Sequence, residues 1–119
     1  MNSTSAILIC DRDHLFRESL RNFLLAAGYL HIEIATTVQE ALAKLRRERY
    51  GCILIGMTRP PRKAWRMAAV AKRRQPQAKL LLMAAADEPP FAQNDSFEYV
   101  LKEQIYSDLL QCLRHDDLN

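Results

Sequence analysis

The feature that most constrains this chain is a regular alternation between short apolar runs and longer segments with helical periodicity. Residues 6–10 and 52–55 form continuous, short apolar runs that are typical of strands buried on both faces. Residues 31–35, 80–83 and 99–101 predict three further strands. Because parallel strands need crossover connections, strands that alternate with helices predict an α/β fold with a parallel sheet.

Capping residues mark where the first two helices begin and end. Asp13 is placed to cap the first helix, and Gly28 stands just past its end. Thr37 and Glu40 form a capping-box pattern at the start of the second helix, and Glu40 with Lys44 has the spacing of an ion pair. These signals predict that each of the first two strands is followed by a helix.

The segment between the fourth and fifth strands departs from this alternation. Residues 84–98 contain the adjacent prolines Pro89 and Pro90 and show no sustained apolar stripe. We therefore expect the fourth helix, which would connect these strands, to be short or lost. A final amphipathic helix is predicted from the spacing of Ile105, Leu109 and Leu113.

Composition places the chain among soluble globular proteins. Its 119 residues suit one domain, and no apolar run approaches the length of a membrane span. The first five residues lack the basic flank and apolar core of a secretory signal. Three widely spaced cysteines fit neither a disulfide framework nor a zinc site. We expect a cytoplasmic protein that has no membrane segment and no bound metal.

Three stretches carry a resemblance to a known family. Residues 11–20 place Asp11 at the end of the first strand, before a helix with a Phe-Arg-Glu sequence. Residues 53–60 supply a third strand followed by Pro60, and residues 99–102 end the fifth strand in Lys102. The chain resembles the receiver domain of bacterial response regulators. That resemblance implies a flavodoxin-like, doubly wound, five-stranded parallel sheet of order 2-1-3-4-5 that spans residues 1–119, alone or as the N-terminal part of a longer regulator.

The residues that would perform phosphoryl transfer in such a domain are mostly replaced. The resemblance implies two acids after the first strand, an aspartate after the third, a hydroxyl after the fourth and a lysine after the fifth. The corresponding positions here are Asp11, Arg12, Gly56, Ala84 and Lys102. Glycine offers no nucleophile, so no aspartyl phosphate can form at Gly56. A guanidinium at Arg12 would repel Mg²⁺ rather than bind it.

The two surviving charges of this degenerate pocket suggest a structural role. Lys102 would be costly to bury without a partner, and Asp11 is the natural one. We therefore expect a structural Asp11–Lys102 ion pair. The sequence leaves two possibilities open for Arg12. Its side chain either stays at the pocket, where it fills the metal position or pairs with Asp13, or it extends into solvent.

The third helix is basic and contains the single tryptophan. Its predicted inward face is made by Ala64, Met67, Ala68 and Ala71, with Trp65 at the border. The candidate interaction surface comprises Arg59, Arg62, Trp65, Arg66 and Tyr99. A tryptophan folded over the edge of the core, surrounded by solvated bases, is the alternative interpretation.

These observations predict a pseudo-receiver that acts independently of phosphorylation. Its expected partner is a protein, or a second copy of the chain in a homodimer, and no enzymatic activity or cofactor is expected. The Arg-x-x-x-Arg spacing of Arg62 and Arg66 leaves open a ligand-binding sensor for a cyclic dinucleotide or for nucleic acid. Residual phosphoryl transfer to Asp11 or Asp13 is a third hypothesis.

Overall fold

A computed structural model describes residues 5–85 and 97–118, with side chains described as far as residue 114. Five strands form one sheet in the order β2-β1-β3-β4-β5, and every neighbouring pair is parallel. The strands are β1 (Ile7–Cys10), β2 (Ile32–Ala35), β3 (Cys52–Gly56), β4 (Lys79–Ala84) and β5 (Glu98–Leu101). The predicted fold class and strand order are confirmed.

Four α-helices belong to the described residues. They are α1 (His14–Ala26), α2 (Val38–Arg47), α3 (Arg62–Arg74) and α4 (Ile105–Leu118), the last preceded by a 3-10 turn at Lys102–Gln104. The prediction that the helix between β4 and β5 is short or lost falls on residues 86–96, which lie outside the described residues. None of the helices described is long and apolar enough to cross a membrane.

Local capping explains where α1 begins and ends. The Asp13 side chain accepts a hydrogen bond from the Phe16 N–H at 3.2 Å, as the sequence predicted. Gly28 follows the helix with φ of 99°, a left-handed conformation that favours glycine. The chain therefore turns sharply here and returns towards β2.

The start of α2 differs in detail from its prediction. Thr37 accepts a hydrogen bond from the Glu40 N–H at 3.1 Å, whereas the Glu40 carboxylate accepts from the Thr36 N–H. The predicted Glu40–Lys44 pair is wrong, because Lys44 Nζ lies 3.0 Å from Glu33 Oε1. Glu33 is on the neighbouring strand β2, so tertiary proximity outweighs the helical spacing.

Alternate strand residues build two apolar layers, one on each face of the sheet. Ile7 and Ile9 pack in the layer formed with α1 and α4, while Leu8 packs in the layer formed with α2 and α3. On α3 the buried residues are Ala64, Met67, Ala68 and Ala71, so the predicted inward face is confirmed. The sheet is thus covered on both sides, which leaves the carboxyl ends of its strands as the place for a site.

Candidate functional site

The parallel register brings four of the predicted pocket positions to one edge of the sheet. Gly56 is the last residue of β3, Ala84 is the last of β4, and Ala84 is paired with Leu101 on β5. Asp11 and Lys102 directly follow β1 and β5. The predicted pocket is therefore a real spatial cluster, formed by residues that are far apart in the sequence.

Asp11 and Lys102 form the ion pair that the sequence predicted. Lys102 Nζ lies 3.0 Å from Asp11 Oδ2, with side-chain exposures of 23% for Lys102 and 5% for Asp11. The other carboxylate oxygen, Oδ1, accepts the Asp13 backbone N–H at 2.9 Å. Oδ2 lacks a donor in hydrogen-bonding alignment, so it is stabilised mainly by the charge of the ammonium.

Gly56 is required here for space, not for its backbone conformation. Its φ is outside the positive range, and a Cβ built on it would meet Asp11 Oδ2 and lie 2.6 Å from Asp11 Cγ. A real Cβ does not approach a neighbouring atom this closely. The Asp11 carboxylate therefore occupies the space that a side chain at the end of β3 would need.

Two residues that no sequence motif assigned to the site, Arg17 and Phe16, hold this pair in place. Arg17 Nη1 donates to the backbone carbonyl of Asp11 at 2.9 Å. The Lys102 ammonium lies 4.5 Å from the centroid of the Phe16 ring, a distance typical of a cation–π contact. Both come from the Phe-Arg-Glu stretch, but nothing in its spacing indicates which strand end the side chains reach.

The residues at this edge do not fit a magnesium ion. Asp11 is already neutralised by Lys102, and the Asp13 side chain caps α1. Arg12 is exposed and forms no ion pair within the described residues, so it follows the solvent alternative. In the described parts of the chain no three His, Cys, Asp or Glu side chains come together as metal ligands would. Hard oxygen ligands for Mg²⁺ are therefore too few here.

The candidate interaction surface divides into exposed and half-buried parts. Trp65 Nε1 donates a hydrogen bond to the Tyr99 hydroxyl at 2.8 Å, which ties α3 to the edge strand β5. Arg59, Arg62 and Arg66 are exposed. Trp65 thus folds over the edge of the core, as the alternative interpretation held, and the arginines form the accessible part.

Cys10 is a partly buried residue that packs against the apolar layer under α2 and α3. Burial and, to a smaller extent, the negative charges of Asp11 and Glu40 together raise the pKa of its thiol to about 12. The thiol is therefore protonated at neutral pH and is a poor nucleophile. This agrees with the small hydrophobe that its position in an apolar strand predicted.

Residues 7–114 match the family model described as the response regulator receiver domain. This match covers all five strands and nearly all of the chain. The chain belongs to the response regulator receiver domain family. Its role is thus that of a receiver in signal transduction.

Solved structures resemble this receiver over nearly its whole length. A CheY-like receiver domain protein from Methanospirillum hungatei is 26% identical, with a TM-score of 0.80, covering 95% of this chain and 93% of that one. A response regulator from Thermotoga maritima is 19% identical, with a TM-score of 0.78 and coverages of 94% and 96%. A Rhodopirellula baltica structure described as an adenylate cyclase is 18% identical, with a TM-score of 0.78 and coverages of 94% and 86%. The last two show a shared fold alone, and no curated protein matches the chain.

Proposed function

We propose that this receiver works without phosphorylation, as a regulatory module that binds another protein and has no enzymatic activity. The observation that carries the proposal is the position of the Asp11 carboxylate over Gly56, where it is paired with Lys102 at 3.0 Å. In this arrangement the Asp11 carboxylate fills the space that an acceptor side chain would need and pairs with the charge of Lys102.

The chemistry of phosphoryl transfer supports this proposal. A covalent acceptor at the end of β3 needs a carboxylate, and Gly56 has no side chain at all. Asp11 is a weak substitute, because its buried carboxylate would have to leave Lys102 in order to attack. We therefore expect the ion pair to prevent phosphorylation of Asp11.

Residues of β4 and β5 favour a receiver that is held in one conformation. Ala84 offers no hydroxyl that could respond to a phosphoryl group, and Tyr99 is bound through its hydroxyl to Trp65. Movement of the tyrosine ring would break this bond, which costs about 1 kcal/mol. A domain of this kind presents a constant surface to its partner.

The exposed arginines of α3 indicate the kind of partner. Arg59, Arg62 and Arg66 lie on or just before a helix that contains no acidic residue. Their charge would complement an acidic protein surface. A second copy of the chain could supply such a surface through α4, where Asp108 lies in the first turn.

Intact mass spectrometry after incubation with acetyl phosphate and Mg²⁺ tests phosphorylation independence. We expect no gain in mass for the native chain or for Asp11→Asn. A gain of one phosphoryl group on the native chain would overturn the proposal. Its disappearance in Asp11→Asn would identify Asp11 as the acceptor, and its persistence would point to another acid such as Asp13.

Sedimentation over a range of protein concentrations tests the second copy as the partner. We expect association that is weakened by Arg62→Glu with Arg66→Glu and unaffected by acetyl phosphate. Arg46→Glu with Arg73→Glu carries the same charge change on exposed residues at the other ends of α2 and α3. Association that responds equally to both pairs would reflect net charge and would contradict a specific surface.

A cyclic dinucleotide or nucleic acid stays as the second candidate, favoured by the exposure of Arg62 and Arg66 one helical turn apart. Trp65 is less suited to stack a base, because its ring is partly buried and packs against the core. Binding that weakens steeply with salt and is lost in Arg62→Ala with Arg66→Ala would favour this candidate over a protein partner.

A further inference from the structure

A cavity of about 680 Å³ opens beside Asp11, on the side of β2, α2 and α3. Its wall is built from the strand ends and from the first residues of both helices, namely 10–12, 35–39, 55–59, 63, 64 and 67. Neither Lys102 nor Ala84 lines it. The cavity is thus a different space from the side of the pocket where the ion pair lies, although both share Asp11 and Gly56.

The floor of this cavity is apolar. Ala35, Ile55, Ala64 and Met67 are buried residues of the layer under α2 and α3, and Cys10 packs against the same layer. The Cys10 thiol keeps its proton, because burial raises its pKa to about 12. A floor of this kind favours a flat, apolar part of a ligand, and methionine adapts well to such a surface.

The rim of the cavity is cationic. Arg12, Arg59 and Lys63 line it, whereas among the described residues Asp11 is the one carboxylate in its lining and is already paired with Lys102. Arg12 and Lys63 are exposed and form no ion pair with any residue that the structure describes. Two cations above an apolar floor create a positive potential that would attract an anion.

The backbone adds to this potential. The helices α2 and α3 both begin at the cavity, since residues 37–39 and 63–64 belong to its lining. Helix N-termini carry partial positive charge. The cavity also lies beyond the carboxyl ends of β1 and β3, the neighbouring strands at which the strand order reverses, and this is the position where open α/β sheets bind ligands.

We propose that this cavity binds a small organic anion of the mononucleotide class, non-covalently. The flat base would lie on the apolar floor, and the phosphate would lie at the rim beside Arg12 and Lys63. The volume falls within the range of about 300–1,000 Å³ that is usual for small-molecule sites. If the receiver works without phosphorylation, as proposed above, such a ligand would supply its input signal.

Isothermal titration of the native chain with the four ribonucleoside 5′-monophosphates tests the proposal. We expect at least one of them to bind. Arg12→Gln with Lys63→Gln should weaken that binding about tenfold or more, because charge-assisted hydrogen bonds to the phosphate are lost. Arg46→Gln with Arg73→Gln removes the same charge from the far ends of α2 and α3 and should leave binding unchanged.

Two further ligands separate the apolar floor from the cationic rim. We expect inorganic phosphate and uncharged adenosine each to bind at least about tenfold more weakly than the best mononucleotide. Phosphate that binds as tightly as the nucleotides would overturn the proposal, because it would reduce the site to a cluster of cations. Adenosine that binds equally well would overturn it too, because the rim would then contribute nothing.

A substitution at the mouth of the cavity tests the location. Val38 lines the cavity and is 40% exposed, so Val38→Trp should narrow the mouth without disturbing the core. We expect this variant to fold and to lose the mononucleotide. Unchanged binding by Val38→Trp, or no binding of any of the four nucleotides to the native chain at millimolar concentration, would overturn the proposal. Neither result bears on phosphorylation, which the mass measurement tests separately.

Discussion

The two sides of Asp11 differ in a way that follows from one glycine. Towards β5 the carboxylate is paired with Lys102, whose ammonium also lies 4.5 Å from the Phe16 ring, so this side is closed. Towards α3 the exposed cations Arg12 and Lys63 surround an open cavity of about 680 Å³. Because Gly56 has no side chain, the Asp11 carboxylate can lie above the end of β3 and form an ion pair with Lys102. The closed side therefore contributes stability, and the open side remains available for binding.

Removing Lys102 should have the largest effect on this contrast. Lys102→Met leaves the buried Asp11 charge without its ammonium, and we expect the free energy of unfolding to fall by about 3 kcal/mol. Urea denaturation measures it. Lys79→Met is the matched control, because its partner Glu98 is 54% exposed and such pairs contribute about 1 kcal/mol or less. Equal losses in the two variants would show that the closed side is not special.

Adding a methyl group to Gly56 should have the next largest effect. Gly56→Ala forces its Cβ against the Asp11 carboxylate, and we expect a loss of about 2 kcal/mol, within the range for overpacked sites. In a double-mutant cycle with Asp11→Ala, the second substitution should remove most of the penalty of the first. Strictly additive losses would mean that the carboxylate does not fill the space over Gly56.

The same contact predicts the outcome of restoring an acceptor. Gly56→Asp would bring a second carboxylate against Asp11, so we expect it to be less stable than Gly56→Ala and to remain unlabelled by acetyl phosphate with Mg²⁺. Intact mass spectrometry and urea denaturation together check both points. Efficient labelling of this single variant would show that Asp11 and Lys102 separate easily.

A smaller effect is expected from the hydrogen bond between Trp65 and Tyr99, which ties α3 to β5. Tyr99→Phe removes the acceptor of the Trp65 indole N–H, and we expect a loss of about 1 kcal/mol together with a change in the emission of the single tryptophan. Tyr106→Phe is the control, because its hydroxyl bonds to Ser19 at an exposed position on the other face. An unchanged tryptophan spectrum in Tyr99→Phe would indicate that the two rings are not coupled.

The last effect concerns the floor of the open side; it is absent at neutral pH and appears only at alkaline pH. The unfolded Cys10 thiol loses its proton near pH 9, whereas the folded one keeps it to about pH 12. The unfolded state therefore binds fewer protons in this interval, and stability should fall as pH rises from 9 to 12. Cys10→Ala should flatten that decline relative to Cys112→Ala. Thermal denaturation across this interval provides the measurement.

The predictable part of this molecule rests on local patterns. Alternating periodicities and caps such as Asp13 were enough for the strands and for the start of the first helix, because these depend on near neighbours in the chain. The strand order was implied by the resemblance to receiver domains. The Asp11–Lys102 pair was also predictable, since parallel strands end at one edge and opposite charges there must meet. The prediction of a Glu40–Lys44 pair was wrong, because Lys44 pairs instead with Glu33 on β2. Helical spacing describes neighbours within one helix and does not include a residue on an adjacent strand.

The amino-acid sequence by itself determined the receiver fold and the loss of a nucleophile at Gly56, because both follow from residue types and their order. Only the tertiary structure decided that Asp11 fills the space over Gly56, that Trp65 is bonded to Tyr99, and that an apolar cavity opens below Arg12 and Lys63. These features depend on side-chain directions and on distances between segments far apart in the chain. No pattern along the sequence encodes such distances directly.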